Sequence, residues 1–263
     1  AGAGLSGYVI YLLGFSLSYL LVCLLLIGAG LMTLSVKRLD EKKILIIQED
    51  KQSKSNLNMN IFKKLYIDFK SGVKYLIYNK KALVVYFTQL FVYLAWMAVP
   101  VLLAPFAKNI LHANAAEFGQ IEATLTIGMV LGGVLITYLA EKVGFNRIVL
   151  FSSVLLLFGL ICFSMVNAIV SAMIIYLFVG FSLGCWALLM TRAQDVTDIN
   201  YQGRVQSVFS FLSAMGIVVL YLLINVTSDL ITLRHVYWIV ASLAIVPILL
   251  VLIYPRYFDS EAE

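Results

Sequence analysis

Long apolar runs recur along the chain and are separated by short polar segments. The runs have no polar face, which indicates helices surrounded by lipid rather than helices on a soluble core. A helix needs roughly 20 residues to cross the hydrocarbon layer, and each run is about that long. The pattern therefore predicts six membrane spans after residue 81. The predicted spans are residues 82–106, 119–140, 148–167, 170–191, 206–228 and 236–254.

Residues 1–36 form a further apolar stretch that carries no charge. A signal peptide would need a basic segment before its apolar core, and none is present. The stretch is too long for one span and too short for two. We therefore interpret residues 1–13 as the end of one span and residues 15–36 as a complete span, which makes the sequence a fragment that begins inside a helix.

The segment 37–81 is polar and contains 12 of the 19 Lys and Arg residues. In its second half, apolar residues recur at helical spacing opposite lysines, which predicts an amphipathic helix at 61–79. Two interpretations stay open. The helix either lies on an anionic membrane surface or is a connector whose apolar stripe packs on the bundle.

Basic residues follow the predicted topology. If the segment 37–81 is cytoplasmic, 17 of the 19 basic residues lie on that side, as the positive-inside rule requires. The tail 255–263 is then cytoplasmic too, and only Lys108 and Arg234 lie outside. We expect a multi-pass protein of a bacterial inner membrane.

Composition agrees with this pattern, because 62% of the residues are hydrophobic and only 13% are charged. A soluble globule is excluded. The net charge of +5 is concentrated in one segment and does not indicate nucleic-acid binding. Cys23, Cys162 and Cys185 fall in apolar runs and are expected to be packed thiols, and the two histidines are far apart, so we predict no metal and no cofactor. Neither a P-loop nor a hydrolase motif is present, so an enzyme is not expected.

The sequence TYLAEKVGFNR at 137–147 resembles the loop after the eighth span of major facilitator superfamily transporters. That loop has a Gly, an acid four residues later, and a second Gly with basic residues. Glu141 and Gly144 match, whereas Thr137 replaces the first Gly. The family has two six-helix halves, so residues 82–254 are expected to be the C-terminal half.

Two further segments refine the resemblance. TRAQDVTDINYQGRVQS at 191–207 is similar to the loop between the tenth and eleventh spans of the branch with macrolide and enterobactin exporters, including its Gly-Arg signature. GAGLSG at 2–7 resembles the fifth-span motif of antiporters, with Ala3 and Ser6 replacing Pro and Gly. The implied fold is all-α: a six-helix C-terminal bundle of a 12-helix major facilitator fold, with the last one to two helices of the N-terminal half at 1–36.

One face of the span at 82–106 is aromatic and hydrogen-bonding: Tyr86, Gln89, Tyr93 and Trp96 recur at spacings of three or four. Such a face suits an amphipathic organic substrate, because the rings supply apolar contact and the polar tips orient the molecule. Ordinary helix packing is the alternative. The resemblance implies that this span borders the central cavity, to which Thr126 is also assigned.

Glu122 is the candidate for proton coupling. An ionisable side chain at membrane depth is costly and marks a functional position, and a carboxyl there could load and release a proton. The alternative is a hydrogen-bonded or snorkelling acid near the membrane surface.

Charged loop residues and glycines complete the candidates. The family resemblance implies a latch that closes the inner gate, and ordinary orienting charges are the alternative. Its predicted members are Glu141, Lys142, Gly144, Arg147, Arg192, Asp195 and Arg204. Gly128 with Gly132, and Gly180 with Gly184, form GxxxG pairs that predict close helix packing.

Together these observations predict a secondary active transporter, a proton-coupled exporter of an amphipathic drug or siderophore-like compound by alternating access. Two alternatives stay open: movement of lysophospholipids or other lipids, and a truncated membrane scaffold without transport. The expected partners are a small-molecule substrate, membrane lipid and an N-terminal transporter half outside this chain, with no nucleic acid.

Overall fold

The computed structural model describes residue 17, residues 19–33 and residues 61–258, and all regular elements among them are helical. These residues belong to two compact units, one ending at Asp68 and one beginning at Phe69. Helix α1 covers Tyr19–Thr33, and helix α2 covers Ile61–Tyr78. The predictions for residues 1–16, for the linker at 37–60 and for the tail after 258 lie outside the described residues.

The rest of the second unit is a helical bundle. The six spans that hydropathy predicts are confirmed, each within a few residues of its expected ends. Two of the six consist of paired helices, α6 with α7 and α9 with α10. The helices are α3 (Lys80–Asn109), α4 (Ala115–Val143), α5 (Phe145–Ser164), α6 (Ile169–Leu183), α7 (Cys185–Asp195), α8 (Gln202–Leu230), α9 (Leu233–Ser242) and α10 (Ile245–Ile253).

Local chemistry explains where the helices begin and break. Helix α4 starts before its apolar run because Asn114 and Glu117 form a reciprocal capping box, with N···O distances of 2.9 and 2.8 Å. The last span breaks between α9 and α10, where Pro247 lacks the N–H that would bond to the Leu243 carbonyl. A span that hydropathy treats as uniform is therefore two shorter helices.

Glycines bring α4 and α6 into backbone contact. A Cβ on Gly180 would overlap the carbonyl oxygen of Leu125, and one on Gly128 would overlap the carbonyl oxygen of Leu177. Gly132 is equally close to the backbone of α6 and Gly184 to that of α4. The four glycines of the two GxxxG pairs thus share one helix contact, which we call the glycine seam.

The bundle has two chemically different ends. The basic end contains the start of α3, the turn between α4 and α5, the loop between α7 and α8, and the end of α10. The far end contains the loops at 110–114, 165–168 and 231–232. Residues 69–78 of α2 pack at the basic end: Leu76 is buried, Phe69 and Val73 contact the core, and the Tyr75 ring stacks on Tyr201 at 4.7 Å.

Candidate functional site

An aromatic cluster from three helices lies at the centre of the candidate site. Tyr93 and Trp96 of α3 meet Trp186 of α7, with ring centroids 5.1 Å and 5.8 Å from Trp186. Phe209 of α8 completes the cluster at 6.3 Å from both Tyr93 and Trp186. The first three side chains are partly exposed, whereas Phe209 is buried. These four side chains, which we call the aromatic wall, present ring faces and edges to an apolar ligand.

Tyr86 and Gln89 were predicted on the same face, and the structure places both deeper. Tyr86 is buried and its ring lies 5.7 Å from Phe209. Gln89 is only 1% exposed, and its Oε1 atom has no hydrogen-bond partner. Ser213 of α8 has a buried hydroxyl without a partner as well. Gln89 lies one helical turn before Tyr93 on α3. An acceptor buried without a partner is costly, so its carbonyl oxygen is a group able to receive a hydrogen bond.

The aromatic wall coincides with a weakened section of α3. Because residue 100 is proline, the Trp96 carbonyl has no amide partner four residues later. Helix α3 nevertheless runs without a break to Asn109. The backbone at Trp96 is therefore held by packing instead of a complete hydrogen-bond ladder.

Glu122 lies about two turns into α4, near the far end. Its side chain is partly buried. Tyr176 of the neighbouring helix α6 lies in the same bundle. The Tyr176 hydroxyl is fully buried and donates to the Val99 carbonyl at 3.2 Å. Thr126 donates to the carbonyl oxygen of Glu122 at 3.1 Å. Neither Glu122 nor Thr126 belongs to the aromatic wall, so the carboxyl and the wall are distinct features of the bundle.

Five of the seven predicted gate residues line one cavity at the basic end, with a volume of about 610 Å³. The five residues are Glu141, Lys142, Gly144, Arg192 and Asp195. Arg192 is its most constrained charge: the guanidinium donates to the Phe258 carbonyl at 3.2 Å and lies over the Phe145 ring at 5.8 Å. Phe258 is fully buried and stacks on Phe145. The segment after α10 therefore forms part of the cavity.

The other two predicted gate residues lie elsewhere. Arg147 is exposed and does not line the cavity. Arg204 begins α8, donates to the Ser71 hydroxyl at 3.3 Å and lies over the Tyr201 ring at 5.7 Å. Gly72 packs against the Arg204 backbone, since a Cβ there would be 2.7 Å from the Arg204 carbonyl oxygen. Arg204 thus contacts α2 and does not line the cavity around Arg192.

Arg234 at the far end connects two spans. From the sequence, it is only one of the two basic residues expected outside. It donates to the carbonyl oxygens of Ser164 at 2.7 Å and Val166 at 3.3 Å, and also to the Asn167 side chain. The guanidinium lies 5.9 Å from the centroid of Phe106. One side chain therefore joins the start of α9 to the end of α5.

We expect Arg234→Met to lower the free energy of unfolding by about 2 to 3 kcal/mol, because three charge-assisted hydrogen bonds are lost. Thermal unfolding in detergent, followed by tryptophan fluorescence, measures the effect. Lys108→Met removes the other far-end basic charge as a control. Equal melting temperatures for the two variants would show that the Arg234 contacts contribute nothing.

The family model described as Major Facilitator Superfamily matches residues 85–263, which is more than half of the chain. The chain belongs to the major facilitator superfamily. No curated protein matches it significantly.

Membership in the major facilitator superfamily makes this chain part of a multi-pass membrane transporter and not an enzyme. Proteins of the superfamily bind small-molecule substrates, and the bundle described above supplies six of the spans. Within the described residues, no group of three or more His, Cys, Asp or Glu side chains could hold a metal ion.

Proposed function

We propose that this superfamily member moves an amphipathic organic compound across the membrane and binds it at the aromatic wall. The observation that carries the proposal is the convergence of Tyr93, Trp96 and Trp186 beside the unpartnered carbonyl of Gln89. Ring faces provide apolar contact to such a compound, and Gln89 would accept a hydrogen bond from it once a change of conformation exposes the amide. A binding surface built this way orients its ligand with few polar groups.

The proposed orientation places the basic end in the cytoplasm of a bacterium. Its loops carry Lys142, Arg147, Arg192 and Arg204, which agrees with the positive-inside rule. Alternating access then moves this bundle against a second six-helix half, so that the aromatic wall faces each side of the membrane in turn. The cavity around Arg192 lies where such a movement would open or close the inner side.

Proton coupling is assigned to Glu122. Its partly buried carboxyl, near the far end, is suited to exchange a proton with the outer water and to release it when the bundle changes conformation. Glu122 is separate from the aromatic wall, so the proton and the substrate would bind at different positions. Export is the direction implied by the family branch that the loop at 191–207 resembles.

The test is transport by the complete reading frame that contains this chain, reconstituted in proteoliposomes. Erythromycin and enterobactin serve as probes, one for drugs and one for siderophores. A pH gradient across the vesicle membrane is expected to drive uptake of at least one probe into vesicles of inverted orientation. Flux no greater than that of protein-free liposomes, with either probe and either gradient direction, would refute the proposed substrate class.

We expect Glu122→Gln to abolish the dependence of transport on the pH gradient, because the amide cannot release a proton. Exchange of labelled substrate across the membrane, which needs no net proton movement, should continue at close to the original rate. Glu117→Gln is the matched control on the same helix, and its amide oxygen still accepts the hydrogen bond from the Asn114 N–H in the capping box. If the Glu122→Gln variant transported the probe with the same dependence on the pH gradient as the unmodified protein, Glu122 would not be the coupling residue.

A further inference from the structure

A groove with an entirely apolar lining lies at the basic end, between residues 69–77 of α2, the start of α3 and the start of α8. Its volume is about 390 Å³, which lies within the range of ligand pockets. Phe87 and Phe211, which line it, are 42% and 52% exposed. Such a groove is stable beside lipid and unfavourable in water, so its occupant is an apolar chain.

Three exposed lysines lie on the two helices that border this groove at the basic end. On α3, Lys80 lies on the same face as three lining residues, Leu83, Phe87 and Leu90, at steps of three or four residues. On α2, the exposed Lys70 and Lys74 directly follow the lining residues Phe69 and Val73. The groove is thus apolar in its lining and bordered by helices that carry exposed positive charge.

The dimensions of the groove match one leaflet of a bilayer. Along α3, the ten-residue step from Lys80 to Leu90 corresponds to about 15 Å. That is half of the hydrocarbon thickness of about 30 Å. Lys80 therefore stands at the level of lipid headgroups when the apolar lining of α3 reaches the middle of the membrane.

We propose that this groove binds one acyl chain of an anionic phospholipid, whose phosphate headgroup contacts Lys70, Lys74 and Lys80. Charge selects the anionic lipid, because basic residues at the membrane surface attract anionic headgroups. The apolar lining holds the chain without any polar partner. This lipid site is distinct from Glu122 and shares only Phe209 with the aromatic wall.

The lipid would also contact the aromatic wall through Phe209. Phe209 belongs to the wall and lines the groove, and its ring contacts Tyr86, which lines the groove as well. A chain in the groove packs on the face of Phe209 that is turned away from Trp186. Loss of the lipid would leave that ring free to move into the groove.

Photolabelling of the purified full chain tests the site without any transport assay. The protein is reconstituted in phosphatidylcholine vesicles that contain phosphatidylglycerol with a photoreactive acyl chain, or the same amount of photoreactive phosphatidylcholine. Mass spectrometry then locates the labelled residues. We expect labelling within 69–90 and 208–212, stronger for phosphatidylglycerol. Each lysine replaced by glutamine should lower that preference by about fivefold.

Two variants that fill the groove complete the test. Leu90→Trp and Leu212→Trp should each lower labelling of the groove severalfold, provided that their melting temperatures show a folded protein. Leu222→Trp, on an exposed part of α8 away from the groove, and Lys108→Gln at the far end are the controls and should leave it unchanged. Equal labelling by both lipids, insensitivity to both filling variants, or labelling only outside the groove would overturn the proposal. The last result would indicate that a protein segment covers the groove.

Discussion

Replacing Gly180 by alanine is expected to lower the melting temperature of the bundle by about 10 °C, corresponding to roughly 3 kcal/mol. The added methyl group would overlap the Leu125 carbonyl oxygen, which belongs to the backbone of α4 and cannot rotate away. The two helices must then separate along the glycine seam. Tryptophan fluorescence during thermal unfolding in detergent measures the change.

Gly133→Ala is the matched control for this prediction. Gly133 lies on α4, one residue after the seam glycine Gly132, yet nothing lies within 4 Å of a Cβ built on it. Since alanine favours a helix by up to about 1 kcal/mol over glycine, this control should keep or raise the melting temperature. If Gly180→Ala were as stable as Gly133→Ala, the close approach of α4 and α6 would be incorrect.

Trp186→Ala is expected to weaken substrate binding at least about tenfold, because Trp186 contacts three other rings of the aromatic wall. The loss should appear as a higher KM for the transported probe in proteoliposomes, with a smaller change in maximal rate. Trp186→Phe should recover most of the affinity, since it keeps an aromatic face at the same position.

Phe178→Ala serves as the control for the wall. Phe178 belongs to the same span as Trp186, but its side chain is 49% exposed and it is not part of the aromatic wall. We expect its KM to stay close to that of the unmodified protein. Equal KM values for Trp186→Ala and Phe178→Ala, at equal melting temperatures, would exclude the wall as the substrate site.

Hydropathy was sufficient to place the six spans, because each backbone amide in lipid must pair within its own helix and every span therefore needs a long apolar run. The breaks inside two of these spans were not predicted. The break at Leu243 follows from Pro247, the third residue of the next helix. A hydropathy pattern does not show this break, because the residues around the proline are all apolar. Glu122 also lies deeper in its helix than expected, since the capping box of Asn114 and Glu117 starts α4 four residues before the predicted span.

The site was predictable on one helix only. Periodicity places Tyr93 and Trp96 on a common face of α3, but it gives no information on which other helix meets that face. Trp186 and Phe209 therefore complete the wall without any signal in the sequence, since no aromatic residue lies three or four positions from either of them. The same limit applies to Arg204, which the sequence pattern places in a charged loop. It contacts Ser71, which is 133 positions away in the sequence, and no local pattern indicates this contact.

The two prolines of α3 have a mechanical consequence. Pro100 and Pro105 remove the amide partners of the Trp96 and Val101 carbonyls within a continuous helix. Bending at these points breaks no hydrogen bond, so α3 has two low-resistance joints in its last ten or so residues. One joint coincides with the wall itself. A tilt at this joint would therefore change the angle between the part of α3 that carries Trp96 and the part that follows Pro100.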